Sequence, residues 1–285
     1  MSVFSDRPLA YVRIAANSTG AYRHLCQELL GCEAVDVRSD YIAFRCDERA
    51  RSIVAATCET QDSIGLELQD EAALEHARER LTAAGIAYSK MAQDCCADRS
   101  VRAGLSVDID VGCRIELVVG AAVTARRFYP NVDTGLTGMT TVGLRSAHID
   151  RDLHFWSEAL GARIGDRVGE IAYLRLDGAH HRIAIYPSAA RGILYVGLGV
   201  RSLDHLMQTA YGLQERQIRV VHGPGCETAS GRVFVRFRAD ASVLFSLEFD
   251  DRQVRPDWIP RHFERTAEAL CAWGSKCTDV QELVA

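Results

Sequence analysis

The chain repeats itself, and this constrains its fold more than any other property. The early segment AYVRIAANSTGAYRHLCQELLGCEAVDV is echoed by TTVGLRSAHIDRDLHFWSEALGARIGDR, so that Leu30-Gly31 recurs as Leu160-Gly161, Asp47 as Asp177 and Ile53 as Ile183, all at one constant shift. Further on, IGLELQDEAALEHARERLTAAGIAYSK is answered by YVGLGVRSLDHLMQTAYGLQERQIRVV, and CRIELVVG by LFSLEFDD, which sets Glu116 against Glu248 at nearly the same shift. Self-similarity over most of a chain is the mark of a duplicated structural unit, so two like halves are expected.

Each copy reads in the same order. A short apolar strand (Leu9 to Ala15; Thr140 to Arg145) leads into a helix with apolar residues at i, i+3 and i+4, stopped by Gly31 or Gly161. Two β-rich segments follow, and then a new strand, a new helix (Asp70 to Ala84; Ser202 to Glu215) and a closing hairpin. The expected fold is therefore α+β, with four tandem βαβββ modules in two duplicated domains, each a curved mixed sheet. Residues 1–121 make the first domain and 138–250 the second, which would carry the active site. The aperiodic stretch 122–137, with Pro130 and Gly135, is the linker. Residues 251–285 form an extension with Pro256 and Pro260 ahead of a helical pattern, expected to pack on a domain or a neighbouring subunit of a homo-oligomer.

Composition narrows the function. With 285 residues, 48% of them hydrophobic, the chain can build real cores, and a net charge of −5 argues against nucleic-acid binding, which needs a concentrated basic surface. No window approaches the roughly 20 apolar residues of a membrane span, and the N-terminus lacks a basic and then apolar leader, so a cytoplasmic protein is expected. The ten cysteines show no CxxC pair and read as thiols in a reducing compartment, with Cys95 and Cys96 in a loop.

The stretch HHRIAIYPSAARGILYVGLGV, residues 180–200, joins a histidine pair to an apolar strand through Tyr195. Adjacent strand residues point to opposite faces, so only one of His180 and His181 is expected to face a cavity.

Four βαβββ units in tandem, GLTGMTTVGLR at Gly135 to Arg145, the HHRIAI strand, the GPG of Gly223 to Gly225, the glutamate of SLEF and the tail WIPRHF together resemble the vicinal oxygen chelate superfamily. More narrowly, the chain is similar to its two-domain type I extradiol dioxygenases, such as the dihydroxybiphenyl and dihydroxynaphthalene ring-cleaving enzymes. That resemblance implies a C-terminal funnel in which two histidines and a glutamate hold Fe(II) with positions left for a catechol and O2. At the corresponding places this chain has Thr141, Tyr195 and Glu248, so one ligand of three remains. The family's GPGRH loop becomes GPGCE, which puts Glu227 at the histidine. The active-site tyrosine of the next strand falls at Phe237 or Arg238, and His222 precedes the loop.

Two hydroxyls and a carboxylate are a poor seat for a ferrous ion, which favours imidazole. The expectation is thus an enzyme of extradiol-dioxygenase lineage acting on a phenolic or polycyclic aromatic small molecule, with no metal and no cofactor. His180 or His181 would be general base, with Tyr195 and Glu227 in the chemistry. Thr141, Glu248, Phe237, Arg238 and His222 would contact substrate. The alternatives are an active extradiol catechol dioxygenase with a different Fe(II) set, and a non-catalytic protein that sequesters a small molecule.

Overall fold

A computed structural model of the chain describes residues 3–275 except 108, 110, 111, 239, 240 and 251. The first half opens with β1 (Phe4–Ala15), helix α1 (19–29, an α-helical turn running into a π-helical stretch), β2 (Glu33–Val37), β3 (Tyr41–Arg45) and β4 (Ile53–Ala56). Its second module comprises β5 (Ser63–Leu68), α2 (Glu71–Ala83), β6 (Tyr88–Lys90), α3 (Gln93–Arg99), β7 (Ala103–Val107) and β8 (Arg114–Val119). The second half repeats the order with β9 (Leu136–Ser146), α4 (149–159, built as α1 is), β10 (Arg163–Val168), β11 (Ile171–Arg175) and β12 (Ile183–Pro187). Then come β13 (Gly192–Val200), α5 (Leu203–Glu215), β14 (Arg219–Cys226), β15 (Val233–Arg238) and β16 (Leu244–Phe249). The four βαβββ modules expected from the repeat are therefore present.

Two modules join into each sheet through their first strands. The first sheet runs β2-β3-β4-β1-β5-β8-β7-β6, with β1 antiparallel to β5 and parallel to β4. In the second, β9 holds the same place, antiparallel to β13 and parallel to β12. Local chemistry supports the helices. Asp70 caps α2 by accepting from the Ala73 amide at 2.8 Å, and Ser202 caps α5. Gly31 and Gly161, at φ +77° and +76°, end α1 and α4 in the left-handed region a side chain would resist.

Strand alternation divides each sheet into two faces. On β15, Val233, Val235 and Phe237 enter the core under the helices, with Trp156, Leu206 and Leu213. The ring of Phe234 and the guanidinium of Arg236 lie on the opposite, inner face. That face has an apolar cluster of its own, including Tyr173, Tyr186, Leu194, Tyr195 and Leu244. We call this inner face the cup.

The tail departs from expectation. Only Ala267–Leu270 (α6) is helical among its described residues; β17 (Arg261–Phe263) adds parallel to β10 and β18 (Trp273–Gly274) adds antiparallel to β14. The edges of an open sheet offer backbone partners that a short helix in water does not, so the chain crosses from one edge to the other. Ala269 and Leu270 are set into the inner cluster on the way. Cys95 and Cys96 are also not in a loop, since both lie on α3.

Candidate active site

Glu248, on the last strand of the second sheet, is buried, and its carboxylate is fully engaged. The Thr141 hydroxyl donates to its two oxygens at 2.8 and 2.9 Å, Thr140 donates to Oε2 at 2.7 Å, and the Arg232 guanidinium lies 3.1 Å from Oε2. Thr141 reaches it across Gly197, where a Cβ would come within 2.2 Å of the threonine Oγ1 and 2.7 Å of Glu248 Oε1. Thr141 and Glu248, predicted as neighbours, thus meet directly.

The histidines correct the alternation argument. His180 and His181 precede β12 on a bent segment held to the tail by the Ala179–Gln253 bridge and by the His180 amide donating to the Arg252 carbonyl at 2.8 Å. Off the strand, alternation no longer applies, and both rings turn inward with no exposed surface, Nδ1 to Nδ1 3.0 Å apart. The same Arg232 nitrogen that faces Glu248 donates to His181 Nε2 at 3.1 Å, and His180 Nε2 lies 2.8 Å from Asp166. Because a guanidinium can only donate, His181 Nε2 accepts, its Nδ1 carries the proton toward His180 Nδ1, and His180 Nε2–H points at Asp166. Asp166 is bound in turn by Arg261 of the tail, at 2.6 Å.

Charge follows from these contacts. Burial first, and Arg232 second, hold His181 well below the usual histidine range, so it is neutral at pH 7. For Asp166, burial pushes the carboxyl up, but hydrogen bonds from His180 and Arg261 outweigh it and the net shift is downward.

Glu227 is buried. It accepts from Ser230 at 2.5 Å and lies 3.8 Å from His181 and 3.7 Å from Arg236. Arg236 stacks on Tyr195 and Phe234, with its guanidinium carbon 4.3 and 4.5 Å from their ring centroids. Tyr195 packs edge-on to Tyr186 over Gly143, and its buried hydroxyl makes no hydrogen bond of good geometry. Burial keeps that phenol protonated, well above its usual range, so it can donate. His222 sits edge-on to Phe234 with neither ring nitrogen partnered, and burial, with Arg236, drives it down to about 3.

Two predicted contacts are displaced. Phe237 points into the helix-side core by strand parity, away from the cup. Arg238 shares the parity of Arg236 but sits half-buried at the rim, beside the like charge of Arg145. Sequence reasoning missed Arg232, Asp166 and Arg261. A period-two reading of GRVFVRFR would have put Arg232 on the face of Arg236; nothing local marks Asp166 or Arg261, which meet from far apart along the chain.

Residues 138–251 match the model of the Glyoxalase/Bleomycin resistance protein/Dioxygenase superfamily. Together with the paired modules, this match supports a two-domain protein similar to the extradiol dioxygenases of that superfamily. It is 27% identical to the iron-dependent extradiol dioxygenase of Rhodococcus jostii (strain RHA1), across 95% of this chain and 97% of that one. It is 26% identical to the biphenyl-2,3-diol 1,2-dioxygenase of Pseudomonas sp. (strain KKS102), across 94% and 96%. In fold it is similar to a halotolerant catechol dioxygenase (TM-score 0.84, 21% identity, 94% and 93% covered). It is similar also to the Mn(II)-bound glyoxalase of Novosphingobium aromaticivorans (TM-score 0.86, 19% identity, 100% and 95% covered).

These relatives raise the question of a metal, and the side chains here do not fit one. Among the described residues no group of three or more His, Cys, Asp or Glu is arranged to hold an ion. The Glu248 oxygens are engaged by two hydroxyls and a guanidinium. A divalent ion about 4 Å from that guanidinium would meet a repulsion on the order of 8 kcal/mol at an effective dielectric of about 20.

Proposed function

We propose that this protein is an enzyme of extradiol ring-cleavage lineage that acts on a phenolic or polycyclic aromatic small molecule in the C-terminal cup without Fe(II). The observation that carries the proposal is the pairing of a retained, fully connected histidine pair with a Glu248 already neutralised by Arg232. A phenol entering the cup would draw Arg232 toward its oxygen, freeing His181 Nε2 to take the phenolic proton. The His181 Nδ1 proton then passes to His180, and the His180 Nε2 proton to Asp166. Tyr195 and His222, whose polar atoms lack good partners inside the protein, supply hydrogen bonds that orient the substrate. We place the protein in the cytoplasm as a homo-oligomer, to be checked by fractionation and light scattering.

The test is turnover of a panel of phenols and catechols by purified protein, with and without a strong iron chelator. Consumption of a phenol that is unchanged by chelator, and lost in His181→Ala, is the expected result. Stoichiometric iron with a yellow, chelator-sensitive ring-fission product would replace this reading with a working extradiol dioxygenase. Tight binding without turnover would replace it with a sequestering protein.

A further inference from the structure

On the inner face of the second half two guanidiniums and two carboxylates, Arg232, Arg236, Glu227 and Glu248, are each at most 3% exposed, and the buried Asp166 beyond the histidine pair is neutralised separately by Arg261. Burying one charge unpaired is costly, so such groups persist only when each finds a partner. Arg232 bonds both Glu248 and His181, and Arg236 faces Glu227. The four charges cancel. Neither a divalent cation nor an anionic substrate can enter without leaving an excess charge in a dry interior.

The first half shows that this arrangement belongs to the repeat. Glu116, the counterpart of Glu248, is held by Arg99 through two bonds of 2.7 and 2.8 Å and by the Tyr11 hydroxyl at 2.6 Å. The shift that relates the two copies carries Tyr11 onto Thr141, and Arg99 to within a few positions of Arg232. In both halves the closing-strand glutamate is therefore met by a hydroxyl from the opening strand and a guanidinium from the segment before the seventh or fifteenth strand.

We infer that the guanidinium of Arg232 is the standing cation of the C-terminal cup, occupying with Glu248 the place a metal ion would claim, and that the cup consequently takes neutral phenols or enols in preference to aromatic carboxylates. The preference for neutral aromatics rests on the function proposed above, while the assignment of Arg232 does not.

Three measurements test it. Wild-type protein incubated anaerobically with Fe(II) and desalted should retain well below one iron per chain. Arg232→Ala should melt earlier than wild type, and guanidinium chloride at low millimolar concentration should raise its melting temperature while leaving wild type and the Arg232→Ala/Glu248→Gln double variant unmoved. Should Arg232→Ala not fold, Arg232→Lys, which keeps the charge, is expected to fold and still exclude iron. Wild type should bind 2-naphthol at least about tenfold tighter than 3-hydroxy-2-naphthoate, a difference of roughly 1.4 kcal/mol. Stoichiometric iron in wild type, absence of guanidinium rescue, iron uptake by Arg232→Lys, or tighter binding of the carboxylate would each overturn the inference. Rescue without binding of either naphthol would leave Arg232 as the cation and refute the aromatic substrate instead. Iron loading with ring fission would remove the cation and leave an aromatic-cleaving enzyme.

Discussion

The two halves of this protein place the same glutamate on the same strand and surround it differently. In the first half, Glu116 is closed off by Arg99 and Tyr11, and the site borders a cavity of about 490 Å³ whose walls include Lys90, Arg114 and Met91. In the second half, the arginine is shared with a histidine, the tyrosine is replaced by threonine, and the tail runs over the cup from β10 to β14. Both glutamates are fully engaged, and beside Glu248 the polar atoms of His222 and Tyr195 lack good partners. The difference separates an ion pair closed by a tyrosine from one shared with a buried histidine pair.

Removing either arginine is the most severe way to test that comparison. Arg99→Ala and Arg232→Ala each strand a buried carboxylate and should cost about 3–5 kcal/mol in urea unfolding. Loss in one half only would show that the two pairs are not equivalent. Tyr11→Phe removes a 2.6 Å bond to a buried carboxylate and should cost about 1.5–3 kcal/mol by the same measurement, with no effect on ligand binding.

Acid should separate the halves next. His24 and His76 of the first half are exposed, whereas His181 and His222 are buried and neutral. For His222 the unfolded chain binds a proton near pH 6.5 and the folded one only near 3. Stability is therefore fully present above about pH 6.5 and is lost as pH falls toward 3, by up to about 1.4 kcal/mol per pH unit. All three tryptophans, Trp156, Trp258 and Trp273, lie in the second half, so their fluorescence reports its acid unfolding, and His222→Leu should flatten the slope. The smallest effect on stability belongs to Tyr195→Phe. Its hydroxyl has no good partner to lose, so unfolding should shift by no more than about 0.5 kcal/mol. Phenol affinity, read by titration calorimetry, should fall several-fold. A large stability loss would mean the hydroxyl is structural, as that of Tyr11 is.

Repetition at a near-constant spacing was enough to anticipate four βαβββ modules and the helix stops at Gly31 and Gly161, because each depends on periodicity or on corresponding places in two copies, whereas the nearness of Thr141 and Glu248 was implied by the family resemblance. The inward turn of both His180 and His181 was not legible. It depends on a bend pinned by Gln253 and Arg252, which belong to the tail and lie far along the chain. Phe237 was misplaced for a smaller reason, since a one-residue uncertainty along a strand reverses the face a side chain occupies.

The amino-acid order alone settled the duplicated architecture, since that is a property of residue type and spacing. Tertiary structure decided which charges meet: Arg232 with Glu248 and His181, and Asp166 with Arg261. Buried ions must be neutralised by whatever the folded chain brings within about 4 Å, and that choice of partner is made in space and not along the sequence.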